Sequence, residues 1–306
     1  MEGGTEMAIN KVNCLGFYEN GALLGSNSWE SFINYKLLNA EKLTFDCDSS
    51  TETKTALKEI FGEAQYTDTL ISPQSYVTLY IRYYHSDLLE YNERYKKLIV
   101  PDIPALKKQM INEGIAKNAK TINNQSVWAY FVKRNDVKVH ESMLKFLHVI
   151  YTLPNFSSVC RGFNIGRVAK TQDNFIVALY HIYYYFNNRE MVASYSKPRD
   201  NLVKFLSPNK YKNTVHLTQD EVVAEVQKWL DNYSSFADFI EKYYLEDFLE
   251  DPDNAHSKPK ELWKGMFDGK LHPSKKEFFP SVNFLTNAIE SRGNRMFAAY
   301  PVIKIG

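Results

Sequence analysis

Two carboxylates sit two residues apart in Phe45-Asp46-Cys47-Asp48-Ser49. At the end of a strand, Asp46 and Asp48 can hold a divalent cation, with one of them acting as a nucleophile. The same run also suits an acidic turn that caps the helix after it, because a carboxylate accepts hydrogen bonds from free backbone N–H groups. A second candidate, Cys160-Arg161-Gly162-Phe163-Asn164-Ile165-Gly166-Arg167, leads on to Asp173. Arg161 and Arg167, with Asn164 between them, can bind phosphate or carboxylate beside a helix N-terminus. In the structural alternative both arginines pair with acids and tie a loop to neighbouring helices, while Asp173 caps its helix. A third run, Ser291-Arg292-Gly293-Asn294-Arg295, puts Arg292 and Arg295 three apart on one helix face. They either add to the same anion site or favour a helix C-terminus through its dipole. A shared ligand requires the arginine runs to converge on one concave pocket near a carboxylate, with Asp46, Asp48 or Asp173 doing acid–base or metal work.

Stronger catalytic signatures are missing. The chain has no GxxxxGK[ST] phosphate loop, no HExxH, no GxSxG elbow and no EF-hand loop. Its seven histidines share no ligand spacing, and Cys14, Cys47 and Cys160 form no CxxC pair. No resident metal and no cofactor are therefore expected, and the sparse, odd cysteine set fits a reducing compartment.

The elements that must position these residues are mostly helices. Val12–Tyr18 reads as a strand closed by the turn dipeptide Asn20-Gly21, and Ser28 as the cap of a helix carrying Trp29, Phe32, Ile33 and Leu37. Leu43–Phe45 reads as a short strand and Thr53–Phe61 as a helix. From Gln74 to Leu98, Val77, Tyr80, Ile81, Tyr84, Leu88 and Tyr91 recur three or four apart, which predicts one long amphipathic helix. Further helices are expected over Ala105–Ala119, Glu141–Leu153, Asp173–Asn187 and Phe236–Leu249. Thr218 with Glu221, and Ser274 with Glu277, have the spacing of capping boxes. Asp251-Pro252-Asp253-Asn254 marks a turn. The expected fold is mainly α, an α+β chain with a small mixed α/β portion over 1–72 and a helical domain over 73–306.

With 44% hydrophobic residues the 306-residue chain has ample material for a core. Lys+Arg total 37 against 36 for Asp+Glu, so no net field draws the whole chain onto nucleic acid or anionic membrane. Apolar runs such as Phe175–Tyr185 are broken by His181 and fall short of the roughly 18–20 residues of a membrane span. The opening MEGGTEM lacks the basic and apolar regions of a signal peptide, so the expected location is cytoplasmic. The 21 tyrosines imply a core with wet edges or broad contact surfaces, because a buried hydroxyl needs a partner. Nucleotide bias accounts for their number more simply, since the chain is also rich in Asn, Lys, Ile and Phe.

Leu153-Pro154-Asn155-Phe156, then Arg161-Gly162-Phe163-Asn164, Arg167, Asp173 and Tyr183-Tyr184-Tyr185, resemble a family of bacterial proteins grouped as a domain of unknown function, the DUF6994-type group. Leu262-Trp263-Lys264-Gly265 and Arg292-Gly293-Asn294-Arg295 continue the likeness, which covers Leu144 to Met296. The acidic turn at Asp46–Asp48 separately resembles the first motif of haloacid-dehalogenase-type phosphatases, without that fold's later motifs. The first resemblance implies a bacterial or phage protein and, by gene association, a setting in phage defence or counter-defence. The expected function is a non-catalytic interaction or regulatory protein with a protein partner. The alternative is a nucleotide- or nucleic-acid-binding enzyme or sensor that grips a phosphate-bearing ligand through Arg161, Asn164, Arg167, Arg292 and Arg295.

Overall fold

Helices begin in this chain where a side chain can accept the first free backbone N–H groups. The computed structural model describes residues 5–7, 18–19, 22–23, 33–34, 36–38, 40–41, 51–62, 66–150, 152–163, 175–189, 217–300 and 303–305. Its strands are β1 (Thr5–Met7), β2 (Tyr18–Glu19), β3 (Ala22–Leu23), β4 (Tyr66–Thr69), β5 (Glu90–Asn92), β6 (Lys97–Ile99), β7 (Phe156–Val159) and β8 (Ile303–Ile305). Its helices are α1 (Thr51–Phe61), α2 (Pro73–Tyr84), α3 (Ile103–Asn112), α4 (Asn124–Arg134), α5 (Glu141–Val149), α6 (Phe175–Arg189), α7 (Gln219–Leu230), α8 (Phe236–Tyr243) and α9 (Lys275–Ala299). The protein is mainly helical, with small two-stranded antiparallel sheets. Among the described residues, no helix is long and apolar enough to cross a membrane.

Both capping boxes form. Thr218 Oγ1 accepts from Glu221 N, and the Glu221 carboxylate accepts from Thr218 N at 2.6 Å, which starts α7. Ser274 and Glu277 repeat the arrangement at the start of α9. Glu277 also accepts from Lys264 N, and these hydrogen bonds, led by those from Ser274, hold its pKa down at about 2. Asp251 Oδ1 accepts from Asp253 N, and Asn254 N reaches back to Asp251 O, so the expected turn is present.

By their contacts the residues form two compact units that interleave along the chain. The first comprises Met1–Cys14, Asp48–Ser72 and Val149–Gly306; the second comprises Leu15–Cys47 and Pro73–His148. Residues 1–72 thus contribute to both. In the second unit, α2 packs Tyr76 against Phe146 of α5 at 5.3 Å between ring centroids. Tyr80 Oη donates to Lys138 O and accepts from His140 N. The strands flanking Asn20-Gly21 pair in the register Tyr18↔Leu23, while that dipeptide lies outside the described residues.

One expectation in this unit fails. The helix that starts at Pro73 stops at Tyr84, and Glu90–Ile99 is a hairpin of β5 and β6. The chain reverses because Asn92 Oδ1 accepts from Tyr95 N and Lys96 takes a left-handed φ of +47°. Tyr91, expected on a buried helix face, is 55% exposed. The helices expected from Ala105 and Glu141 end earlier than anticipated, at Asn112 and Val149, and the one expected to run to Leu249 ends at Tyr243. Helix α4, which the sequence reading did not separate, starts at Asn123, whose side chain accepts from Ser126 N.

In the first unit, β4 and β7 pair antiparallel in the register Tyr66↔Val159 to Thr69↔Phe156. Helix α1 packs on β7 and β8, and α9 packs on the 3-10 turns Leu153–Asn155 and Glu246–Phe248. Asn155, fully buried, extends the pairing through its side chain. Its Oδ1 accepts from Ile71 N at 3.0 Å, and its Nδ2 donates to Ile71 O and to Ile150 O. Removing that amide strands three buried backbone groups, each worth about 1–3 kcal/mol when unsatisfied. Asn155→Ala should therefore lower the unfolding free energy by about 3 kcal/mol or more. Urea denaturation measures this, and a loss below about 1 kcal/mol would show that the network is dispensable.

Candidate functional site

A cavity of about 240 Å³ opens in the first unit between the end of β7, the C-terminal half of α7 and helix α8. Its floor is Ser158, Val159 and Cys160, from a strand whose residues are all buried. Its aromatic wall comes from Phe61 at the end of α1, Trp229 of α7, Tyr233 just beyond it and Tyr243 of α8. The period of each helix explains the convergence. Val222, Val223, Val226 and Leu230 bury one stripe of α7, which leaves Glu225, Lys228 and Trp229 at the edge of that stripe, where the cavity begins.

Tyr243 organises the wall. Its ring lies between Phe61, stacked at 5.0 Å, and Phe239, stacked at 4.7 Å. Trp229 stands perpendicular to it at 5.8 Å and donates Nε1–H to Tyr243 Oη at 2.9 Å. Tyr233 Oη donates to Tyr243 Oη at 3.2 Å. Offset and perpendicular pairs of this kind are favoured by the ring quadrupole, and the hydroxyl network fixes their orientation. Burial pushes the Tyr243 phenol well above its usual value of 10, with the neighbouring Tyr233 adding to the effect. Burial likewise pushes the Cys160 thiol far up, helped by the charge of Glu225. Both groups therefore stay protonated at neutral pH. They offer weak donors and polarisable surface instead of a nucleophile or a base.

Of the residues singled out from the sequence, Asp46, Asp48, Asn164, Arg167 and Asp173 lie outside the described residues. Arg161 is on the surface at the turn after β7, where its charge helps to lower the pKa of Glu221. That turn requires Gly162, which has φ +81° and whose missing Cβ would meet Leu217 at 3.0 Å and Val222 at 3.1 Å. Arg292 is 0% exposed. Its Nη1 donates to Pro154 O and, at 2.8 Å, to Phe156 O, and its Nε donates to Tyr243 O at 3.0 Å. Burial pulls its pKa below the usual arginine value and Glu246 opposes that pull, so the group is cationic at neutral pH. Arg295, one turn on, donates to Asp247 at 2.8 Å and lies 3.8 Å from Glu246.

The described arginines therefore do not converge on one pocket, and none of them lines the cavity. Arg292 does support it from behind, because the carbonyls it holds belong to the turn before β7, to β7 itself and to Tyr243. Next to Arg292, Gly293 brings α9 so close to Pro154 that an added Cβ would come within 2.8 Å of its ring. Among the described residues, no group of three His, Cys, Asp or Glu is placed to hold a metal ion.

Sequence reasoning did not find the cavity. Trp229 and Tyr243 were legible as helix-face residues but indistinguishable from ordinary core, and Ser158 sits on a strand with no local signal. No family model matches the chain, and neither a curated protein sequence nor a solved structure matches it.

The raised thiol and phenol make a prediction on the alkaline side. Below about pH 8.5 Cys160 is protonated in both folded and unfolded chains, so it has no effect on the pH dependence there. Above that pH the unfolded chain releases the proton and the folded one does not, so stability falls as pH rises. The loss attributable to Cys160 should be about 2 kcal/mol between about pH 8.5 and about pH 10. Cys160→Ala should flatten that limb of the stability curve in urea titrations. An unchanged slope would mean that the thiol ionises freely in the folded protein.

Proposed function

We propose that this chain is a non-catalytic binding and regulatory protein that holds a small ligand in the aromatic cavity and acts through a protein partner. The observation that carries the reading is the chemistry of the cavity lining. Cys160 and Tyr243, a thiol and a phenol that line it, are held in their neutral forms by burial. What remains is a recognition surface of ring edges, hydroxyls and one strand edge, with a carboxylate and an ammonium at the mouth. At about 240 Å³ the space is far larger than one water's roughly 30 Å³ share of the liquid and smaller than the roughly 300–1,000 Å³ of drug-sized sites. It suits a compact ligand. The partner part of the reading is supported by the second unit, where Tyr91 and Tyr95 stand exposed on the β5–β6 hairpin, Tyr95 with Arg94 and Lys97 beside its ring. Exposed tyrosines on a short hairpin give large contact area at little entropic loss.

A phosphate-gripping enzyme finds no support in Arg292, which is fully buried with Nε and Nη1 on backbone carbonyls, or in Arg295, whose Nε serves Asp247.

Two measurements test the reading together. Peptide mass mapping after iodoacetamide treatment at about pH 8 should show Cys160 labelled at least tenfold more slowly than an unfolded control, since only thiolate reacts. Small aromatic alcohols and indole should raise the melting temperature and change Trp229 emission. Fast labelling of Cys160, or turnover of any ligand found in the cavity, would overturn the non-catalytic reading.

A further inference from the structure

The pairing of β7 leaves one cavity-lining residue with its backbone groups turned away from β4. Leu70 N donates to Asn155 O, which makes Asn155 a residue bonded towards β4. Alternation along an antiparallel ladder then gives Ser157 and Val159 to β4 and turns Phe156, Ser158 and Cys160 the other way. Arg292 confirms the parity, because it takes Phe156 O from the side opposite β4.

This outer edge is closed at both ends. The Phe156 N–H donates to Leu153 O and its carbonyl is held by Arg292. The Cys160 carbonyl accepts from Phe163 N. Ser158 lies between them on the cavity floor, 8% exposed, and among the described residues no hydrogen bond reaches its N–H or C=O from this side. Buried backbone groups are paired in more than about 90% of cases, so an inward-facing, unpaired N–H and C=O at a cavity floor marks a place for a ligand.

We propose that the cavity recognises a short extended peptide, one or two residues long, that pairs with Ser158 as a miniature added strand. The proposal rests on the cavity being the ligand site described above and names its ligand class. One residue of the peptide accepts from Ser158 N–H and donates its own N–H to Ser158 C=O, the doubly bonded pair of an antiparallel ladder. The closed ends at Phe156 and Cys160 limit the pairing to that single residue, which agrees with the small volume. The peptide side chain meets Trp229, Tyr233 and Phe61. Glu225 and Lys228, one turn of α7 apart at the mouth, supply opposite charges that match the two ends of a zwitterionic peptide.

The test uses the full chain labelled with 15N and three probes. N-acetylalanine methylamide carries the required donor and acceptor; N-acetyl-N-methylalanine methylamide lacks the donor; indole has no amide. The first probe should shift the Ser158 amide resonance and the Trp229 indole N–H together in a saturable titration. The N-methylated probe should bind at least about tenfold more weakly, because a site built for a hydrogen bond rejects the analogue that leaves its group unpaired. Equal affinity of the two amides would overturn the pairing. Indole binding at Trp229 without any amide response would overturn the peptide assignment and leave the cavity as a ligand site. Silence from all three probes would overturn both.

Discussion

A guanidinium buried away from water has to find its hydrogen bonds inside the protein, and Arg292 finds them on the backbone of two distant segments. Desolvating such a charge is costly, and the hydrogen bonds of Nε and Nη1 offset that cost while Nη2 has no partner among the described residues. Truncating a buried charge partner typically destabilises by about 3–5 kcal/mol. Here the partners are carbonyls: Pro154 just before β7, Phe156 at its start, and Tyr243 at the end of α8. Orphan carbonyls at the end of a helix and at the outer edge of a strand are among the groups a fold must satisfy, and one planar fork satisfies both. A lysine, with its single ammonium, lacks that reach. The positions of Phe61, Ser158 and Tyr243 around the cavity follow, because Arg292 sets where β7 meets α8 and lies 6.0 Å from the Phe61 ring.

The tyrosines show the same economy. Their abundance suited a core with wet edges, and the hydroxyls do find partners: Tyr243 with Trp229, Tyr185 with Asp231 at 2.6 Å, Tyr130 with Glu113 at 2.6 Å. Each ring fills apolar space while its oxygen ties one element to the next. Whatever raised the number of tyrosines in the chain, the fold uses them as cross-links between helices.

The sequence was most readable where the determining forces are local. The capping boxes at Thr218 and Ser274 involve residues three apart, and both helices start where that spacing says. Between Glu90 and Ile99 the local signal misled, since tyrosine and leucine at helical intervals also suit a hairpin once Asn92 and Lys96 supply its turn. Strands β4 and β7 were invisible because each is four residues long and its partner lies more than eighty positions away. Arg292 stood out in the sequence as a candidate for an anion site, and in the structure it holds backbone carbonyls. Its actual acceptors lie 49, 136 and 138 residues distant, however, and no spacing rule reaches that far. The cavity shares this opacity, being assembled from α1, β7, α7 and α8.

Gly293 shows how narrow the tolerance around that clamp is. The Pro154 ring occupies the space where a side chain at 293 would stand, so the axis of α9 sits one methyl group closer to the Leu153–Asn155 turn than any other residue would allow. The arginine next door can span to the backbone only at that separation. Positions 154 and 293 should therefore drift through evolution as a linked pair: a bulkier residue on the helix becomes acceptable only in lineages where the facing proline has already given way to something smaller.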